Sequence, residues 1–434
     1  MTGIADAKQP HYSSIDSLEH LLADLWEEVL QTKVSFNDNF FELGGNSIKA
    51  VMVMNRLQDK MNAIFHPASI FNAPTVSDLA VYCRKNYPDI FNATNTDQAL
   101  DEKLSDQQIK IVRQHLLHRN SGKSVQVDTN GGKNKAAIFV LSPPRSGSTL
   151  LRVILGGHPE LFSPPELYLL SFNTLKQRKE KFSGHLDFFR EGLIRALMEL
   201  KSCSKKEAEA LMHRLEEQNM STKAFMGLMQ AWAGDKRLVD KTPTYAFNPE
   251  VLRRAEMEFT DARFIHLVRH PMASIASFEE IRADLVTGDA DGELPLSAKQ
   301  KGELWWLIGH QNILSFLKDI PEHRQHQLRF EDMVADPDGI TQQLCDFLGI
   351  QFYPDMLNPY QEKKNRMTDG VSDVSKIMGD QKFHTYKGIE ASVADRWRDK
   401  YKQDFLCEQS WQLAETLGYM KESFVETERE EWEI

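Results

Sequence analysis

From residue 136 onward strand-like runs alternate with stretches of helical composition. The runs are AAIFVL, RLVD, RFIHLV and HQLRF. The first is short and apolar and reads as a buried strand, and the alternation of such runs with helices predicts a parallel sheet with helices on both faces. The first run leads into SPPRSGSTLL, residues 142–151, and then RVILGGHP. A strand, a glycine-bearing loop and a helix N-terminus bring backbone N–H groups and the positive end of the helix dipole to one point, which suits an anion. The ATP-type loop GxxxxGK[ST] requires a lysine that is missing here, and Arg145 stands earlier in the loop. The loop is therefore expected to hold a phosphate in a way other than that of the nucleotide kinases.

The 434 residues leave room for two or three domains. A net charge of −11 argues against nucleic acid as the main partner, which would require a basic face. No apolar run reaches membrane-spanning length, and the opening MTGIADAKQPHYSS lacks the charged-then-apolar pattern of a signal peptide. Cys83, Cys203, Cys345 and Cys407 are far apart with no CxxC, as expected of reduced thiols in a cytoplasmic protein. No HExxH, EF-hand or Cys/His cluster suggests a metal.

Residues 12–91 read as a small helical unit. SIDSLEHLLADLWEEVL places Leu18, Leu21, Leu22, Leu25, Trp26 and Val29 on one helix face. SIKAVMVMNRLQDKM is a second amphipathic helix, and PTVSDLAVYCRKNY a third, opened by Thr75 with Asp78 three residues on. Residues 92–135 form a polar linker. Within it SDQQIKIVRQHLLHRN suits one helix, whereas SGKSVQVDTNGGKNK has no periodicity and reads as a flexible tether. Residues 136–425 make the α/β unit.

DNFFELGGNSIKA, residues 38–50, resembles the carrier (thiolation) domains of polyketide and peptide synthases. It matches every fixed position of D-x-F-F-x-x-G-G-x-S-[LI]-x-A, and PASIFNAPTVSDLA fits the later helices of that family. The resemblance implies a small all-α four-helix bundle and a 4′-phosphopantetheine arm on Ser47, attached by a phosphopantetheinyl transferase. The physical reading agrees: Ser47 would start a helix, where unpaired N–H groups favour a phosphodiester, and Gly44 and Gly45 let the loop turn. The plainer alternative makes Ser47 only a helix N-cap. The unit holds ten Asp and Glu against six Lys and Arg, which suits a basic docking surface on partner enzymes.

SPPRSGSTLLRVILGGHP resembles the loop with which sulfotransferases grip the 5′-phosphosulfate of 3′-phosphoadenosine 5′-phosphosulfate. Three later stretches fit in order: VDKTPTYA, ARFIHLVRHPMASIASF and LRFEDMVADPDGITQQLCDFLGI; ADRWR fits the C-terminal segment. The resemblance spans about residues 136–420. It implies a P-loop-like α/β domain in which Arg145, Ser146, Gly147, Ser148 and Thr149 hold the phosphosulfate, and Arg269 and Ser277 the 3′-phosphate. Arginines, hydroxyls and backbone N–H groups suit so highly charged a donor. Transfer is an in-line displacement at sulfur, so catalysis is mostly positioning and charge stabilisation, with a base for the acceptor hydroxyl and no metal.

Two residues are candidates for that base. His384, in KFHTYKG, lies near the C-terminal cofactor segment and is of the right type near neutral pH. Glu166, in FSPPELYLL, stands where the tyrosylprotein branch of the family carries a catalytic Glu. Each has a structural alternative, a satisfied histidine or a salt bridge. Lys241 can stabilise the leaving oxygen or lie on the surface at a strand end. Arg329 can contact substrate or pair with Glu331 or Asp332. His158, His266 and His270 read as structural.

A carrier joined to a sulfotransferase suggests an acceptor that arrives on the arm from an upstream synthase module. The combination resembles the carrier–sulfotransferase portion of olefin-forming polyketide synthases, in which a β-hydroxyacyl thioester is sulfated and a thioesterase then releases the acid, with loss of CO₂ and sulfate leaving a terminal alkene. No G-x-S-x-G elbow follows here, so a thioesterase acting in trans is expected. A free alcohol acceptor, or a catalytically silent carrier and docking module, are the competing readings.

Overall fold

A computed structural model describes residues 15–61, 63, 65, 68–91, 103–121, 125–129, 131–281, 294, 296–371, 383 and 386–421. The chain forms two compact units, residues 1–99 and 100–434.

In the first unit the helices are α1 (Ile15–Leu30), α2 (Ser47–Met61), α3 (Ala68–Asn72), α4 (Val76–Asn86) and the single turn α5 (Pro88–Phe91). The expected apolar face of α1 is buried throughout, and Trp26 meets Phe40 edge-on at 4.7 Å. Thr75 caps α4 by accepting the Asp78 N–H. Phe40 also explains the paired glycines. Gly44 adopts a φ of +83°, and a side chain on Gly45 would overlap the Phe40 ring. The loop before Ser47 can close over the aromatic core only without those side chains.

The second unit is built on five parallel strands: β1 (Ala137–Leu141), β2 (Leu161–Phe162), β3 (Arg237–Lys241), β4 (Arg263–Val268) and β5 (Gln325–Arg329), in the order β2-β3-β1-β4-β5. Four of these are the strand-like runs read in the sequence. The fifth, β2, is two residues long and offers no period to detect. Strand pleating splits β1 between two cores. Phe139 and Leu141 face Leu238, Phe264 and the helices α8 (Leu175–Lys181), α9 (Glu191–Lys201), α10 (Lys205–Glu217), α11 (Thr222–Ala233) and α12 (Pro249–Met257). Ile138 and Val140 face α7 (Ser148–Leu155), α15 (Phe330–Ala335) and α16 (Pro337–Leu348). This is the α/β architecture with helices on both faces that the sequence predicts. The order places β1 at the centre, with the chain running out to one side and then crossing to the other. Ligands of such sheets gather at the strands' carboxyl ends beside that switch.

The expected tether is where the structure departs from the sequence reading. A helix, α6 (Asp106–Ser121), does form, but it packs on the large unit, with Ile109 and Val112 buried against Trp306 and Trp411. The aperiodic stretch after it is also fastened there. Gln126 N–H donates to Asn173, Asp128 N–H to Glu258, and Lys223 Nζ reaches Asp128 O at 2.6 Å. Asn134 bridges to Phe259. These anchors come from far along the chain, so periodicity could not show them. Residues 92–102 lie outside the described residues, as does His384. No described helix is long and apolar enough to cross a membrane.

Candidate functional site

The loop between β1 and α7 is shaped by two backbone choices. Arg145 and Gly147 both adopt positive φ, 69° and 87°. A side chain on Gly147 would run into the Phe330 ring. Gly147 is also the N-cap of α7 and offers no side-chain acceptor, so the first N–H groups of that helix have no side-chain cap. Ser146 is buried and its Oγ donates to Pro143 O at 2.9 Å, which ties the loop to itself. Ser148 is buried at the first turn, with Thr149 next to it, half-buried. The loop is a cradle of backbone donors, built for an anion.

Two arginines flank it. Arg145 Nε donates to Ser277 Oγ at 3.1 Å, and Arg269 Nη1 donates to Arg145 O at 3.1 Å. The Arg269 guanidinium lies 4.4 Å over the Phe330 ring, and its own carbonyl accepts from Trp306 Nε1 at 2.9 Å. Arg269 follows β4, and Ser277 is on α13 (Pro271–Glu280). The structure thus brings Arg145, Arg269 and Ser277 together at the carboxyl edge of the sheet. These residues fit a ligand with phosphates at both ends of a nucleoside.

A second cluster forms beside β3. Lys241, the last residue of that strand, is 1% exposed, so it is not a surface lysine. Its Nζ sits 2.6 Å from Glu166 Oε1, and the Tyr168 hydroxyl donates to Glu166 Oε2. Burial pushes the lysine's pKa down, opposed by the Glu166 carboxylate. Burial also lowers Arg152 to about 10; it is the next cation inward, bonded to Ser163 O and Arg366 O. Glu166 itself retains 22% side-chain exposure, so it is held by two buried partners yet open to a reactant.

Arg329 is placed elsewhere. It lies 3.8 Å from Asp332 and 4.7 Å over the Tyr419 ring, and Tyr419 O–H donates to Glu331 at 2.7 Å. Among the described contacts none joins Arg329 to Glu166 or Lys241, and the pairing with Asp332 is one the sequence allowed. The three histidines read as structural are packed inside. His158 Nε2 is 2.7 Å from Gln351 O, His266 and His310 share a bond of 2.9 Å, and His270 stacks on Trp397. His310 is on α14 (Ala298–Leu317).

Sequence reasoning did not single out Tyr168, Asp240, Thr242, Tyr245 or Phe330. A signal existed for Asp240: a carboxylate directly after the apolar pair Leu238 and Val239 of a strand and directly before Lys241. Its burial pushes the carboxyl up to about 6, against hydroxyls of Thr242 and Tyr245 that favour the charge.

In the small unit, the helix α2 begins at Ser47. Asn46 performs the capping, its Oδ1 accepting the Lys49 N–H at 2.9 Å. Ser47 is the first residue of that helix.

A small helical unit with a serine at a glycine-led helix start, and a parallel α/β unit with an arginine-flanked anion loop, define a carrier joined to an anion-gripping transferase. The chain belongs to the sulfotransferase family, whose profile matches residues 137–355. A phosphopantetheine attachment site profile matches residues 20–83. The sulfotransferase domain from the curacin biosynthetic pathway is 42% identical, with a TM-score of 0.62 over 66% of this chain and 99% of that one. The sulfotransferase domain from the Synechococcus PCC 7002 olefin synthase is 35% identical, with a TM-score of 0.61 over 69% of this chain and all of that one. The first unit is 35% identical over 83 residues to surfactin synthase subunit 2 of Bacillus subtilis (strain 168), 19% of this chain and 2% of that protein. The chain thus spans a small fraction of the peptide synthases that it matches. It is a carrier-linked sulfotransferase, akin to that of olefin-forming synthases. The family implies 3′-phosphoadenosine 5′-phosphosulfate as donor, and the attachment site a phosphopantetheine arm.

Proposed function

We propose that the large unit transfers a sulfuryl group to the β-hydroxyl of an acyl chain carried on Ser47 of the same polypeptide. The observation that carries this reading is the meeting, at one sheet edge, of the anion loop with its two arginines and a half-open Glu166 held by Lys241 and Tyr168. The donor supplies an activated sulfur with adenosine 3′,5′-bisphosphate as leaving group. Arg145, Ser146, Gly147, Ser148 and Thr149 hold its phosphosulfate end, and Arg269 and Ser277 its 3′-phosphate. Glu166 takes the proton of the acceptor hydroxyl as that oxygen bonds to sulfur. Lys241 offsets negative charge as the bond from sulfur to the bridging oxygen breaks. Salt-bridged carboxylates still serve as bases when the partner cation can follow the charge that moves to the leaving oxygen.

The presence of the carrier on the chain supports a tethered acceptor, since a short covalent link commonly raises effective concentration to about millimolar. The likeness to the curacin and olefin synthase domains supports a product primed for decarboxylative elimination to a terminal alkene, with a thioesterase in trans. An upstream synthase module and a phosphopantetheinyl transferase are the partners this requires, and all of them suit a cytoplasmic setting. Intact-protein mass spectrometry tests the core of the proposal. The chain is converted to its holo form, loaded with a 3-hydroxyacyl group and given donor. Gain of one sulfuryl mass on the arm is expected. No gain on the arm, with a free alcohol sulfated instead, would overturn the tethered reading.

A further inference from the structure

The DKTP segment does more than supply Lys241. Asp240 is 1% exposed and uses both carboxylate oxygens. Oδ1 accepts the Thr242 hydroxyl at 2.8 Å, and Oδ2 accepts the Tyr245 hydroxyl at 3.0 Å. Each hydroxyl has only one proton, and Asp240 takes it. Each must then turn a lone pair outward. Both lone pairs meet the backbone of one segment. Tyr168 N–H donates to Thr242 Oγ1 at 3.4 Å, and Leu170 N–H donates to Tyr245 Oη at 3.1 Å. That segment carries Glu166 and its partner Tyr168. No strand or helix includes residues 163–174, and Tyr168 has a φ of +55°. Buried arginines hold the segment's carbonyls, Leu167 O by Arg178 Nε at 2.9 Å and Leu170 O by Arg254 Nη1 at 2.8 Å, and the two hydroxyls hold the N–H groups of Tyr168 and Leu170.

We infer that Asp240 is a positioning residue for sulfuryl transfer, fixing the hydroxyls of Thr242 and Tyr245 as acceptors that hold the Glu166 segment against the end of β3. The inference rests on Glu166 as the base. Fixed orientation matters because a misplacement of about 1 Å at a reacting group can lower the rate on the order of a hundredfold. Burial raises the Asp240 carboxyl to about 6 while Lys241 and the two hydroxyls oppose that rise, so the ionised form needed by the latch is present at neutral pH. A neutral amide of the same shape cannot replace it. The Asn side chain has one acceptor and one donor group, so one of the two hydroxyls would lose its acceptor in residue 240 and its proton would no longer be fixed there.

Asp240→Asn, Tyr245→Phe and Thr242→Val test this in the full holo chain. Hydrogen exchange followed by mass spectrometry should show residues 166–170 exchanging about tenfold faster in each variant, with helices α9 to α12 unchanged. The kcat for transfer should fall about ten- to a hundredfold, with the Kd for adenosine 3′,5′-bisphosphate within about twofold of the original. In a Glu166→Gln background the Asp240→Asn change should cost less than about threefold more, since it acts through Glu166. Unchanged exchange over 166–170 would overturn the latch whatever the activity. The full loss appearing again in the Glu166→Gln background would overturn its link to the base. Near-normal activity of Glu166→Gln alone would instead remove Glu166 as base, while the exchange result still decides the latch. If Asp240→Asn does not fold, Thr242→Val and Tyr245→Phe carry the same test with smaller changes.

Discussion

Two helices in this chain begin with serine after a glycine-bearing turn, at Ser47 and at Ser148. Their surroundings differ. The first is capped by Asn46, and the nearby Lys49 Nζ donates to Gly44 O at 3.0 Å. The second has Gly147 at its cap with no side-chain acceptor, and Arg145, Arg269 and Ser277 crowd the same edge. The difference matches the two ways in which the proposed anions would be held. A phosphodiester fixed by a covalent bond needs no binding energy from the site. A donor that must bind and leave at each turnover draws its affinity from unpaired N–H groups and charge-assisted bonds.

The largest expected effect is at the covalent site. Ser47→Ala should abolish arm loading and all tethered transfer, seen as no mass gain after treatment with a phosphopantetheinyl transferase. Thermal stabilisation by adenosine 3′,5′-bisphosphate should be unaffected. Loss of that stabilisation would mean that the two sites are not independent.

Next is the base. Glu166→Gln should lower kcat about 10²- to 10⁴-fold with bisphosphate affinity nearly unchanged. His384→Ala is the matching control, and a comparable loss there with a mild effect at Glu166 would exchange their roles.

The reversible site should respond in affinity. Arg145→Ala or Arg269→Ala removes bonds to a charged ligand of about 1.5–3 kcal/mol, or roughly ten- to a hundredfold in Kd by calorimetry. Carrier loading should stay normal. Gly147→Ala should weaken binding as well, because its φ of +87° and the Phe330 ring leave no place for a methyl group.

The smallest effect concerns pH. Burial pushes His266 and His270 down to about 3, and burial with the neighbouring His266 pushes His310 well below its ordinary value. These rings are neutral in the fold and protonate near 6.5 when unfolded, so the stability they contribute is complete above 6.5 and is lost as pH falls toward 3. Each costs at most about 1.4 kcal/mol per pH unit in that window. Asp240 has the opposite sign: its raised pKa makes stability fall as pH rises from about 4 to about 6. Burial also lowers His326 and raises Glu303, so four histidines against two carboxylates predict a melting temperature of the large unit that drops between pH 7 and 5. A flat profile would contradict the neutral burial of these histidines.

Much of this was legible in the chain itself. The strands β1, β3 and β4 show in the sequence because burial on both faces leaves a local mark, whereas the edge strand β5 buries Leu328 alone and shows mainly through the helix that follows it. The loop motif marked Arg145, and the carrier motif marked Ser47, because backbone turns and helix starts demand particular residues within a few positions. Asn46 as the cap was not legible, since Asn and Ser both suit that place. The fastening of residues 125–135 was hidden too, because its partners Asn173, Lys223 and Glu258 lie far along the chain.

The sequence by itself determined the local pieces: two units, a serine for an arm, an anion loop and a set of separate candidate residues. Only the tertiary structure decided which of them meet. Glu166 and Lys241 are 75 residues apart and form one pair because β2 lies parallel to β3, with Leu161 opposite Arg237. Arg145 and Arg269 meet because β1 and β4 are neighbours that end at the same edge. A parallel sheet gathers its strands' carboxyl ends whatever their spacing in the chain, so the chemistry assembled there is set by strand order, which no local pattern of residues records.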